Sequence, residues 1–402
     1  MSKKVDRWVL PDGIEEVLPE QALVTERLRR LCVDLFLSWG YDYVIPPMVE
    51  FIDSLLTGSG QDIDLLTFKL TDQLSGKMMG IRADITPQTA RMDAHSLKRE
   101  GINRLCYAGH VMHTRPKSLL GSRAPILLGV ELFGESSLDA DIEVMSLLLE
   151  SLSVAGLQQQ YIDIGHVGVY RSLAAAAKLS EEQETALFEL LQAKALVDIQ
   201  HWVEQHVASP QCREWLLALP RLAGSATMLS HARTFFEQAP PQVLAALDEL
   251  EHVNQVLNQR YPEAQLYFDL GEVRGYHYHT GLVFGAFAAG IGNSIASGGR
   301  YDHIGASFGN ARPATGFSID LSALANLDAI QQSPGNVSKA AIFAPSSSDT
   351  ALWQAIQVLR GQGERVVVGL AGQSQAWSHQ RCDRQLVLIN GEYQLETIAG
   401  TA

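Results

Sequence analysis

Apolar residues within 20–39 recur at Val24, Leu28, Leu31 and Leu35, in steps of four, three and four. That spacing returns to one face of a helix and predicts an amphipathic helix over the stretch. Gly40 follows, a residue able to take the left-handed conformation that ends a helix. Tyr41-Asp-Tyr-Val-Ile-Pro46-Pro47 then changes the pattern to β-branched and aromatic residues. It predicts a short strand that its prolines end or confine to a sheet edge. Further strands are predicted at 67–71, 77–82, 104–108 and 126–133, with a helix at 142–152 and a strand at 161–164.

Between Val169 and Gln265 the only glycine is Gly224, while Leu, Ala, Glu and Gln dominate. These strong helix formers predict a helical insertion over about 169–265. Glycine returns between 271 and 316 with a second β-rich block. Strands, then helices, then strands define an α+β fold, an antiparallel sheet core interrupted by a helical subdomain and spanning 1–330. Residues 331–338 read as a polar linker, and 339–402 as a small C-terminal α/β module. In that module Asp349 is a predicted N-cap, and Asn390-Gly391 the centre of a type I′ hairpin turn.

With 402 residues, 46% hydrophobic and 19% charged, the chain suits two or three domains with a sizeable core. Lys and Arg number 31 against 45 Asp and Glu, a formal charge of −14, which argues against a nucleic-acid-coating protein. Cys32, Cys106, Cys212 and Cys382 are widely spaced and form no C-x-x-C, so buried free thiols in a reducing compartment are expected. No long apolar run or signal-peptide core is visible, and a soluble cytoplasmic protein is expected, with no membrane contact.

Candidate chemistry gathers in a few places. Ser297-Gly-Gly-Arg-Tyr-Asp302 has a glycine pair but neither Walker A nor Rossmann spacing, and a tight turn is the better reading of it than a phosphate loop. Arg274-Gly-Tyr-His-Tyr-His-Thr-Gly281, read as a strand, puts Tyr276 and Tyr278 on one side and His277 and His279 on the other. No third metal ligand is nearby, so a small-ligand pocket fits better than a metal, and packed histidines remain open. Arg82-Ala-Asp84-Ile-Thr86-Pro87-Gln88 offers an acid that could receive an ammonium group, or simply a turn leading into a helix at Pro87. His110, His113, Arg115, Lys117 and Arg123 form a basic segment suited to an anion or to solvent. Glu131, alone in an apolar strand, needs a partner such as an ammonium or imidazole.

Taken together these runs resemble the catalytic core of histidyl-tRNA synthetases, a class II synthetase fold. Residues 40–50 resemble motif 1, and Leu128-Gly-Val-Glu-Leu-Phe-Gly134 the second strand of motif 2. Residues 273–284 resemble the family's histidine signature, usually Val-Arg-Gly-Leu-Asp-Tyr-Tyr-Thr-Gly; residues 297–302 resemble its second signature, and 314–319 the start of motif 3. The resemblance assigns Glu131 to histidine contact, Arg274 to the family's catalytic arginine and Asp84 to the place of an ammonium-binding glutamate. Leu127 stands where a glutamine is usual.

The departures carry the functional expectation. The motif 2 arginine that grips the ATP α-phosphate falls on His113 and its glutamate on Arg115; a one-residue shift recovers an Arg115-Pro116 pair but no Phe-Arg-X-Glu, and the motif 3 arginine falls on Ala323. A neutral residue cannot replace a bidentate, permanently charged clamp, so adenylation and any catalytic residue are not expected. The combination is similar to the regulatory subunits of ATP phosphoribosyltransferase, whose Gly-Ile-Arg-Ala-Asp-Ile-Thr-Pro-Gln, His-Thr-Arg-Pro and Gly-Tyr-His-Tyr-His-Thr-Gly runs this chain shares. That resemblance implies a short catalytic subunit as partner, in the first step of histidine synthesis. It also implies self-association through the motif 1 region and L-histidine as feedback effector, with no cofactor, metal or nucleic acid. The histidine-site candidates are Asp84, Thr86, Arg115, Glu131, Arg274, Tyr276, His277 and Tyr278. A divergent amino-acid-activating synthetase and an interaction protein without ligand are the rival readings.

Overall fold

The first long helix, Pro19–Ser38, buries Val24, Thr25, Leu28, Cys32 and Phe36, a repeat of four rather than the predicted four-three-four. Leu31 is 47% exposed. The packing partners decide this. The helix lies along the Leu138–Ala155 helix and the Asn103–His110 strand, where Cys32 Sγ is 3.9 Å from the Ser151 carbonyl and Phe36 meets Phe317 edge-on at 5.9 Å. The computed structural model describes residues 8–57, 61–116, 121–272, 275, 278–290, 292–309, 311–332, 340–370 and 382–398. It divides into two compact units, Met1–Ser333 and Pro334–Ala402.

The first unit is built on a sheet of nine strands among the described residues. Their order is Asp42–Tyr43, Asn103–His110, Ile126–Phe133, Ala314–Asp320, Ala296–Arg300, Leu282–Phe287, Tyr161–His166, Gln265–Asp269 and Ala223–Gly224. Neighbours are antiparallel except at two places, Asp42–Tyr43 with Asn103–His110 and Tyr161–His166 with Gln265–Asp269. The predicted strand at 41–47 shrinks to two residues. Beyond it the chain serves other groups, because the Pro46 and Pro47 carbonyls accept from Arg82 at 2.8 Å and Gln88 at 2.7 Å. The strands near 67–71 and 77–82 leave the main sheet for a separate three-stranded one, in which Met78–Ile81 lies between Val49–Phe51 and Phe68–Thr71.

Helices Val167–Ala176, Glu181–Gln192, Leu196–His206, Pro210–Ala218, Ala226–Phe235 and Pro241–Arg260 follow the strand Tyr161–His166. They share one continuous core with the sheet. Leu187, Val203 and Leu247 belong to the same buried cluster as Ile164, Phe284 and Phe317. Among the described residues no helix is long and apolar enough to cross a membrane. All four cysteines are buried and free.

The second unit has a four-stranded sheet in the order Val366–Val368, Ala341–Ala344, Cys382–Ile389, Glu392–Thr397, with one helix, Thr350–Gly361. Asp349 caps that helix by accepting from the Ala351 N–H at 2.9 Å. Asn390 and Gly391 take φ of 50° and 87°, the two positive values a type I′ turn requires. Of the predicted linker, Gln331 ends the short helix Asp328–Gln331, and residues 333–338 lie outside the described residues.

Candidate functional site

The main sheet has two unlike faces. Leu128, Val130, Phe317 and Ile319 point into the core. Their neighbours in sequence point the other way, as side chains in a strand must. Register sets Glu131 opposite Gly316, which is opposite Gly299, and Gly129 opposite Ser318, which is opposite Ser297. This second face is therefore a floor of glycines and serines around one glutamate. A Cβ at Gly316 would fall on the Glu131 carboxylate, and one at Gly299 would come within 2.9 Å of the His279 ring. The glycines thus make room for Glu131 and His279, and Ser297, Gly298, Gly316 and Ser318 border a cavity of about 250 Å³.

The glycine pair of 297–302 thus lies inside a strand, not in a tight turn. The histidine-rich run is the reverse case. Gly275 has φ of 67°, and its carbonyl accepts from the N–H groups of Tyr278 at 2.8 Å and His279 at 2.7 Å. This is a turn, so the predicted two-sided alternation is lost, and Tyr278 and His279 line the same cavity.

Glu131 is 1% exposed. Its Oε1 accepts from Thr86 Oγ1 at 2.7 Å and from the Tyr107 hydroxyl at 3.1 Å, and its Oε2 accepts from the Tyr301 hydroxyl. Burial nevertheless dominates and pushes its carboxyl up to about 8. The hydroxyl donors pull it back, and the nearby Asp84 charge adds to the rise. Tyr301 stacks on Tyr278 with ring centres 5.0 Å apart. The Tyr278 hydroxyl is buried with no hydrogen-bond partner among the described residues. His279 opens on the cavity but is otherwise enclosed by protein. That enclosure pushes its imidazole down to about 4, so it is neutral at pH 7 and hydrogen-bonds the Arg300 carbonyl at 3.2 Å.

Asp84 and Thr86 reach the cavity from the start of the helix Thr86–Arg91. Asp84 Oδ1 accepts from the Ile85 N–H at 2.7 Å, and Pro87 occupies the first turn. Both sequence readings of this segment, turn and acid site, are therefore compatible with one geometry. Arg82 fixes the segment from below. It is 5% exposed and donates to the His110 carbonyl at 2.8 Å as well as to Pro46.

Of the eight predicted histidine-site residues, Asp84, Thr86, Glu131 and Tyr278 line one cavity. Arg115 does not; it is exposed on the loop after His113. Arg274, Tyr276 and His277 lie outside the described residues. His113 is buried, and one ring nitrogen sits 2.9 Å from the Ala83 carbonyl, to which it must donate. Arg123 of the same basic segment is engaged by the carbonyls of His113 and Asp12, each at 3.0 Å. Leu127 packs with Ile85, Tyr107 and Val111, so a hydrocarbon cluster takes the place where the resemblance expects a polar contact.

Sequence reasoning placed His279 and Tyr301 in candidate runs without a role in the histidine site, and passed over Tyr107 and the insertion residues Phe188 and Gln192; all of these touch Glu131 or line the cavity. Tyr107 had a signal, being a large polar ring set opposite Gly129. The insertion residues had none, since they meet the cavity only through tertiary packing.

Sheet, turn and buried glutamate together define a class II histidyl-tRNA synthetase-like core. Residues 13–324 match the family described as histidyl-tRNA synthetase, and residues 339–396 match the ATP phosphoribosyltransferase subunit HisZ C-terminal domain. The proteins named ATP phosphoribosyltransferase regulatory subunit from Teredinibacter turnerae and Saccharophagus degradans are 62% and 61% identical, over 98% of this chain and 100% of theirs. A Bacillus halodurans crystal structure titled as an ATP phosphoribosyltransferase regulatory subunit/histidyl-tRNA synthetase superposes with a TM-score of 0.81 at 28% identity, over 93% of this chain and 96% of that one. Histidyl-tRNA synthetase from Nostoc, at 19% identity, 97% and 94% coverage and a TM-score of 0.78, shares the fold. The chain belongs to the family of ATP phosphoribosyltransferase regulatory subunits.

Proposed function

We propose that this chain is the non-catalytic regulatory subunit of ATP phosphoribosyltransferase, which binds and activates the short catalytic subunit and mediates feedback inhibition by L-histidine. The relatives' names and the match at residues 339–396 support the partnership. One observation carries the sensing role. The cavity keeps two carboxylates, Asp84 and Glu131, with hydroxyls from Thr86 and Tyr278, while His113 and Ala323 stand where the resemblance puts ATP-gripping arginines. An ammonium and an imidazole are the groups that the Asp84 carboxylate, the Glu131 carboxyl and these hydroxyls hold well. A buried imidazole bonded to Ala83 and a methyl group cannot clamp a triphosphate. Exposed Ile45, Met48, Val49 and Phe51 around the motif 1 segment support the self-association that the resemblance implies.

Histidine regulates only if it binds the active and inhibited assemblies unequally. A coupling of about 1–3 kcal/mol is typical of such effectors. The test is phosphoribosyl transfer to ATP by the short catalytic subunit, with and without this chain, and then with added L-histidine. Activation that histidine reverses is expected. Unchanged turnover together with histidine-dependent ATP–pyrophosphate exchange would replace this reading with the synthetase one.

A further inference from the structure

One wall of the cavity comes from the helical insertion. Helix Glu181–Gln192 is fixed at its start by a reciprocal cap, in which Ser180 Oγ accepts from the Gln183 N–H and Gln183 Oε1 accepts from the Ser180 N–H. Leu187 and Leu191, four residues apart, lie on its core face. Phe188 and Gln192, also four apart but one step round the helix, line the cavity. Phe188 is 7% exposed, whereas Gln192 is open to solvent and so stands at the mouth. Just past the helix, Lys194 turns with φ of 50°, and its Nζ meets Asp269 Oδ2 at 2.7 Å. The other oxygen of Asp269, itself 1% exposed, accepts from the Gly271 N–H at 2.9 Å. Asp269 ends the strand from which the Gly275–His279 turn departs. The chain just past the cavity-wall helix and the chain leaving that strand are therefore tied to one buried carboxylate.

We propose that the insertion is part of the ligand site. Gln192 hydrogen-bonds the bound amino acid, Phe188 packs against it, and helix Glu181–Gln192 thereby responds to occupancy. The inference rests on the histidine-sensing reading and goes further by assigning ligand contacts to the insertion. The chemistry suits it. The Asp84 charge favours the cationic groups, and Glu131 beside it offers a hydrogen-bonding carboxyl, which leaves the rest of a zwitterion to neutral donors. Gln192 offers a donor and an acceptor at the mouth, where no lysine or arginine lines the cavity among the described residues.

The test is calorimetric titration of L-histidine into the full chain, alone and in complex with the catalytic subunit, beside hydrogen exchange of residues 181–192. Gln192 is exposed, so Gln192→Ala leaves the core intact; Phe188→Leu is the second variant. Loss of the amide contact is expected to weaken histidine binding about 3- to 10-fold. Histidine is expected to slow exchange of the helix in the unaltered chain, and less so in Gln192→Ala. Equal affinity in all three proteins with unchanged exchange overturns this inference and leaves histidine sensing standing. No histidine binding by the unaltered chain, alone or in complex, overturns the sensing reading and this inference with it.

Discussion

Replacing Glu131 by glutamine separates its charge from its shape. Burial raises this carboxyl from the ordinary 4.5 to about 8, so the native protein holds its proton more tightly than the unfolded chain does. Between those two pH values the folded state binds about one proton more, and stability must fall as pH rises. At about 1.4 kcal/mol for each tenfold change in proton affinity, the full span amounts to roughly 5 kcal/mol. The practical window from pH 5.5 to 8.5 contains about 3 kcal/mol of it. Glu131→Gln resembles the protonated acid in size and cannot ionise. Urea denaturation of both proteins, followed by tryptophan fluorescence across that window, should show the unaltered protein losing about 3 kcal/mol relative to the variant. The comparison matters because His279 tilts the curve the other way at lower pH, and subtraction removes its contribution. A stability difference constant to within about 0.5 kcal/mol from pH 5.5 to 8.5 would refute the reasoning. It would mean that the three hydroxyl donors keep Glu131 ionised throughout.

His279 sits near 4 in the folded state against an ordinary 6.5, so its contribution is present above pH 6.5 and lost as pH falls toward 4. His279→Gln should flatten the acid limb of the same denaturation series. Asp141 binds Arg300 through Nη2 at 2.6 Å and Nε at 2.9 Å, both partners buried. Asp141→Ala removes the bidentate partner of that guanidinium and leaves it Asp302 at 3.3 Å and two carbonyls, so a cost of roughly 3 kcal/mol is expected, read as a lower urea midpoint. Gly316→Ala drives a methyl into the Glu131 carboxylate and the Val130 carbonyl. It should destabilise the first unit by about 3 kcal/mol or more and abolish binding of L-histidine in calorimetry. Gly391→Ala, at φ of 87°, should cost roughly 1 kcal/mol and lower only the melting of the second unit.

Local signals translated well where one residue type solves one backbone problem. Asn390-Gly391 and Asp349 are of this kind, for a tight hairpin and a helix cap leave few chemical choices. Glu131 was legible because a lone acid in an apolar strand has a short list of explanations. The first helix was misread at Leu31 because several registers of its apolar residues are nearly equivalent. Only the neighbours, Ser151 and Phe317 among them, choose between those registers. The alternation expected at Tyr278 and His279 fails because Gly275, at positive φ, takes hydrogen bonds from both of their N–H groups and closes a turn there. Tyr301 and Phe188 needed tertiary contacts that no pattern of spacing encodes.

A binding floor made of backbone constrains how this protein can change. At Gly316 every other residue adds atoms where the Glu131 carboxylate already is, and at Gly299 where the Leu282 carbonyl and the His279 ring are. Such a surface cannot be tuned in small steps; it stays as it is or it closes. New ligand preferences must therefore arise in the walls, from the Asp84–Thr86 segment, the turn at Gly275 and the insertion helix. The same sheet could serve different small molecules while its central strands stay unaltered. A redesign of this pocket should leave the strands alone and vary the rim.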